Sequence, residues 1–116
     1  MNKDSSVFVL HIRDSINNIL GFVENISEAD FFKNRMIQSA VIRELEIIGE
    51  AVKNLPIEFR QKYNQVLWKD IAGMRDKIAH YYFGVDLDKI WKVIKEEITP
   101  LKKQVKDILS KEKVKM

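Results

Sequence analysis

Apolar residues recur three and four apart along almost the whole chain, which is the spacing of one helix face, and nowhere alternate in the two-residue rhythm of a strand. A first helix starts after Asp4 or Ser5, carries Ile12, Ile16, Ile19, Leu20, Val23 and Ile26 on one stripe, and ends near residues 25–27; Arg13, Asn17 and Glu24 fall between the apolar positions. Ser27-Glu28-Ala29-Asp30 then reads as a capping sequence, in which the Ser27 hydroxyl accepts an otherwise unpaired N–H and Asp30 reaches back. A second stripe of Met36, Ile37, Ala40, Val41, Leu45, Ile48 and Val52 runs toward Leu55, where Pro56 stops or restarts the helix. Residues 56–69 give a short helix and a connector, with Phe59, Tyr63, Leu67 and Trp68 covering the core. A helix from about Asp70 presents Ile71, Met74, Ile78 and Tyr81, and Gly84 is placed to close it in a left-handed conformation. Asp86 or Asp88 caps the next helix, which presents Leu87, Ile90, Trp91, Ile94 and Ile98; Thr99-Pro100 either kinks it or caps a final segment through Lys111. The predicted fold is all-α, an antiparallel helical bundle of four long helices plus one or two short ones.

At 116 residues the chain fits one domain, expected over residues 4–112 with a lysine-rich flexible end at 113–116. Hydrophobic residues make up 46% and charged residues 32%, an ordinary globular balance. The absence of cysteine excludes disulfides, thiolate nucleophiles and cysteine-ligated zinc. No apolar run approaches the roughly 20 residues of a membrane span, and the first residues lack a signal-peptide layout, so the expected location is the cytoplasm, away from membranes. The net charge of +3 permits a polyanionic partner without demanding one. Much of the excess lies at the end, where Lys102, Lys103, Lys106, Lys111, Lys113 and Lys115 outnumber Asp107 and Glu112. That end reads either as a frayed, solvated helix terminus that suits the helix dipole or as a tail that tracks RNA.

His11 and His80 are the only histidines, and neither has a glutamate three residues before it, which removes the paired Glu-x-x-His layout of a di-iron bundle. A His-Glu-x-x-His zinc site, a phosphate-cradling glycine loop and a dinucleotide fingerprint are also missing, so no metal or cofactor is expected. Glu44, Glu46 and Glu50 read as solvated or salt-bridged carboxylates, and His11 as a partly buried, hydrogen-bonded histidine.

The informative segment is Ile71-Ala72-Gly73-Met74-Arg75-Asp76-Lys77-Ile78-Ala79-His80-Tyr81-Tyr82-Phe83-Gly84. Arginine with histidine suits metal-free cleavage of an RNA phosphodiester. Imidazole exchanges protons near neutral pH, and guanidinium clamps a phosphate and the charge that develops on it. One histidine cannot readily serve both the attacking and the leaving oxygen, which favours a two-fold dimer with both copies facing one cleft. On an ideal helix Arg75 and His80 stand about 140° apart, whereas Arg75 and Tyr82 stand about 20° apart. Either the arginine swings across, or the helix distorts or ends near His80. Met74, Ile78 and Tyr81 fall together in projection and face the core, which leaves Tyr82 on the exposed face with Arg75 and Ala79. The residues alone leave a second reading open, a surface arginine paired with a carboxylate and a polar histidine near a helix C-terminus.

At these positions the sequence resembles the HEPN superfamily of small helical nucleases, and more closely its HepT toxin branch, whose signature Arg-x4-His-x-Tyr matches Arg75, His80 and Tyr82. Ile48-Gly49-Glu50-Ala51, Trp68 through Arg75, and Val85-Asp86-Leu87-Asp88 with Trp91 fit that branch too. The resemblance implies a helical domain that forms a homodimer, often assembles further, and cleaves cellular RNA without metal through Arg75 and His80. It also implies a partner, a cognate minimal nucleotidyltransferase antitoxin that silences the toxin by transferring AMP to Tyr82. Asp76 stands where relatives often carry Asn or another polar residue, placed either to hold Arg75 or to repel RNA. The alternative is a helical module that binds the nucleotidyltransferase and does no chemistry itself.

Overall fold

The structure, a computed structural model, describes residues 3–83 and 86–114. Eight α-helices follow one another among them: α1 (Lys3–Phe22), α2 (Glu28–Lys33), α3 (Arg35–Lys53), α4 (Ile57–Lys62), α5 (Trp68–Ala72), α6 (Met74–Phe83), α7 (Leu87–Lys92) and α8 (Thr99–Lys111). A π-helical turn, Val93–Ile98, joins the last two without a break. The all-α expectation holds, and no strand occurs among the described residues.

Three departures from the predicted element order have local causes. The helical stretch that follows the Ser27 cap is split at Asn34, ahead of the second stripe; its extended backbone (φ −112°, ψ 94°) separates α2 from α3 and its side chain accepts from the Ile37 N–H at 3.0 Å. The stretch around Asp70 is split at Gly73, and α2, α4, α5 and α7 are all short, four among the described residues rather than one or two. Thr99-Pro100 opens a final helix through Lys111 as expected, with proline in its first turn and no side-chain cap bond, but the turn before it is π-helical. Proline has no N–H to give the preceding turn, the Thr99 hydroxyl donates to the Ile94 carbonyl at 3.3 Å, and the chain absorbs the mismatch as the wider π turn. The capping box is present as expected, with Asp30 N–H donating to Ser27 Oγ and Ser27 N–H to Asp30 Oδ2, both at 3.1 Å. These bonds hold the Asp30 carboxyl below its ordinary pKa. Asp86 occupies the N-cap of α7 but makes no side-chain cap bond. Gly84 lies outside the described residues.

The helices pack antiparallel. Ser15 and Asn18 of α1 bond Glu44 of α3, whereas earlier residues of α1 line a groove with later residues of α3. Lys77 of α6 likewise pairs with Glu97 at 3.3 Å, while Tyr81 one turn later meets Lys89. Ile12, Ile16, Ile19, Leu45, Ile48, Ile78, Ile90, Ile94, Ile98 and Ile108 form the fully buried centre. Phe31 closes one end against Trp91, with ring centroids 5.3 Å apart. Phe59, Tyr63 and Trp68 are buried as expected, but Leu67 is 68% exposed and Met36, placed on the second stripe, is 81% exposed. Both stand near helix starts, where no neighbouring helix covers them.

The C-terminal end is closed rather than frayed through Val114. Lys113 takes a left-handed conformation (φ 58°) and the Val114 N–H bonds the Leu109 carbonyl at 3.0 Å, while Val114 packs on the core. Glu112 sits among Lys62 Nζ, 2.7 Å away, and the Tyr63 hydroxyl, which donates to it. Lys62 first and Tyr63 second hold the Glu112 carboxyl down at about 2, and burial, with Glu112 beside it, pushes the Tyr63 hydroxyl up to about 12. No described helix is long and apolar enough to cross a membrane.

Candidate active site on α6

Buried Met74 and Ile78 anchor α6 to the bundle, and Tyr81 and Tyr82 pack half-buried against the core. Arg75, Asp76, Lys77 and His80 are left exposed. α6 is α-helical throughout, so neither distortion nor an early end brings Arg75 and His80 onto one face. Tyr82 does not share a fully exposed face with Arg75, because α6 leans on α3 and α7 and turns Ala79 and Tyr82 partly inward.

Arg75 reaches back to α3, its Nη1 3.7 Å from Glu50 Oε1. α3 approaches the α5–α6 junction at Gly49. A Cβ there would stand 3.4 Å from the Ile71 carbonyl oxygen and 3.8 Å from the Arg75 backbone nitrogen, so α3 runs against the α5–α6 junction and sets Glu50 beside Arg75. The pair is 57% and 54% exposed, which limits it to about 0–1 kcal/mol. An incoming phosphate can take the guanidinium from Glu50 at little cost. Glu50, not Asp76, is the carboxylate that holds Arg75.

Arg75 lines an open groove of about 320 Å³ with Phe8 and His11 of α1, Arg43, Glu46, Ile47, Glu50 and Ala51 of α3, and Asn54 just past the end of α3; His80 is not part of its wall. The His80 ring instead lies 6.1 Å from that of Tyr81, over which Lys89 Nζ sits at 5.2 Å. The expectation for His11 is overturned. It is exposed in the Arg75 groove, edge-on to Phe8 with ring centroids 6.4 Å apart, because α3 turns its short polar stripe toward that part of α1. Glu44 is not solvated either. It is buried between α1 and α3, accepting from Ser15 at 3.5 Å and from Asn18 at 3.2 Å. The participation of Arg43, Glu46, Glu50 and Asn54 had one signal in the sequence, their three- and four-residue spacing along α3 and its C-cap.

A family model described as "Ribonuclease HepT-like" matches residues 12–108. The chain belongs to this family. A "Putative RNase" of Caldanaerobacter subterraneus subsp. tengcongensis is 53% identical over 111 residues, covering 96% of this chain and 99% of that one. The "Probable ribonuclease HepT" of Thermococcus cleftensis is 42% identical, covering 88% and 93% respectively. A "Gamma-glutamylcyclotransferase and putative RNase" of Methanocaldococcus jannaschii is 48% identical over 94% of this chain, which spans 49% of that longer protein. No solved structure matches the chain. The resemblance read at Arg75, His80 and Tyr82 therefore led to the right family, and the helical bundle is consistent with membership.

Proposed function

We propose that the chain is a metal-independent endoribonuclease, the toxin of a toxin–antitoxin pair, with Arg75 and His80 as its catalytic residues. Membership in the Ribonuclease HepT-like family, with Arg75 and His80 both exposed on α6, is the observation that carries this reading. The ribose 2′-hydroxyl attacks the adjacent phosphorus as His80 removes its proton; the bond from phosphorus to the 5′-oxygen breaks, and a second imidazole protonates the leaving oxygen. Arg75, released from Glu50, holds the non-bridging oxygens as charge builds on them. His80 lies outside the Arg75 groove of its own chain, so a homodimer that sets the His80 residues of two copies across one cleft supplies the pair of imidazoles.

Tyr82 is proposed as the residue to which a minimal nucleotidyltransferase antitoxin transfers AMP. Two helical turns from Arg75, an attached nucleotide would bring its phosphate to the guanidinium and exclude RNA. RNA cleavage in excess EDTA, by unmodified wild type and by His80→Ala, tests the proposal. Cleavage by the first and none by the second supports it. No cleavage of a mixed RNA pool by unmodified wild type replaces it with a module that binds the nucleotidyltransferase.

A further inference from the structure

We propose that His11 and Arg43, with Arg75, form a nucleotide subsite that receives the RNA next to the cleaved phosphodiester; the substrate class rests on the ribonuclease reading above. Arg43 is exposed in the groove, and its side chain makes no ion pair or hydrogen bond among the described residues, so it is available to an anion. Arg75 opens onto the same groove with only its loose 3.7 Å contact to Glu50. Two guanidinium groups lining one groove can take successive phosphates. His11 stands on the opposite helix, α1, its ring exposed and near-perpendicular to that of Phe8, where it can donate to a phosphate or ribose oxygen.

The rest of the wall separates a nucleotide from a bare polyanion. Glu46 supplies acceptors and Asn54 both acceptors and donors, which suit ribose hydroxyls and base amino groups, and Phe8 offers an aromatic surface. At about 320 Å³ the groove is at the small end of ligand sites, room for roughly one nucleotide. Nothing in the Arg-x4-His-x-Tyr segment points to His11 or Arg43, which lie 64 and 32 positions before Arg75.

The test measures binding of a fluorescent 2′-O-methyl oligoribonucleotide, which lacks the attacking hydroxyl and cannot be cleaved, to wild type, Arg43→Gln, His11→Gln and Arg35→Gln. Arg35 is exposed on α3 outside the groove and controls for overall charge. Arg43→Gln is expected to weaken binding about 10-fold and to lower the salt slope by about 0.7, the loss of one phosphate contact. His11→Gln is expected to weaken it about 3-fold, and Arg35→Gln to leave it unchanged. With cleavable RNA, Arg43→Gln raises KM and leaves kcat within about 3-fold. Equal binding by wild type and both groove variants, or equal losses in all three variants, overturns the subsite. If wild type cleaves RNA while the groove variants match it, the subsite fails and the ribonuclease reading stands. If wild type binds RNA through Arg43 and His11 but cleaves none, the subsite stands and the ribonuclease reading fails.

Discussion

Replacing Glu112 by glutamine removes the charge that ties the end of α8 to α4. The Glu112 side chain is 5% exposed, 2.7 Å from Lys62 Nζ, and accepts a hydrogen bond from Tyr63. Its carboxyl is held at about 2 rather than at the ordinary 4.5. At 1.36 kcal/mol per pKa unit the full shift would be worth about 3 kcal/mol, and solvent around the largely exposed Lys62 reduces this to about 1–2 kcal/mol. A depressed carboxyl pKa stabilises the fold fully above the unfolded value near 4.5, and the contribution is lost as pH falls from there through about 2. Urea unfolding at pH 7 should therefore show Glu112→Gln about 1–2 kcal/mol less stable than wild type, with a melting point roughly 4–8 °C lower. Between pH 5 and pH 2.5 the gap should shrink, because wild type loses what the variant already lacks. Tyr63 acts at the other limb with opposite sign. Its raised pKa of about 12 gives stability present below 10 and lost as pH rises toward 12, and Tyr63→Phe should flatten that decline. An unchanged acid slope in Glu112→Gln would refute the assignment of acid sensitivity to this contact.

Ile48 is fully buried in the C-terminal half of α3, so Ile48→Ala should cost about 2–5 kcal/mol in chemical denaturation; a loss under 1 kcal/mol would mean that the core is not packed there as described. Gly49→Ala places a methyl at ordinary contact distance from Ile71 and should be neutral or stabilising by up to about 1 kcal/mol, whereas Gly49→Val forces a branch onto the α5–α6 backbone and should lower the melting temperature. If both variants melt alike, the close approach of α3 to Arg75 is wrong. Tyr82→Phe should keep RNA cleavage while losing neutralisation by AMP transfer, read by intact mass and by growth of cells that co-express the nucleotidyltransferase; continued neutralisation by AMP transfer alone would remove Tyr82 from the switch.

The sequence by itself determined that the chain is all-helical, most of the residues that face inward, Met36 and Leu67 excepted, and where Ser27 and Asp30 cap α2. These are local matters, set by the 3.6-residue period and by hydrogen bonds across three positions. The segment from Arg75 to Tyr82, which led to the right family, is local too. Tertiary structure decided what those residues meet. Glu44 and Glu50 share one helix, yet Glu44 is buried by Ser15, 29 positions away, while Glu50 stands open beside Arg75. Glu112 finds Tyr63 across 49 positions, and His11 and Arg43 join the Arg75 groove only because α1 and α3 pack antiparallel beside the start of α6. Helical periodicity states which face of a helix is apolar, but the neighbour that covers a polar position depends on how far each helix slides along the next, and that offset is fixed by side-chain packing in the assembled core.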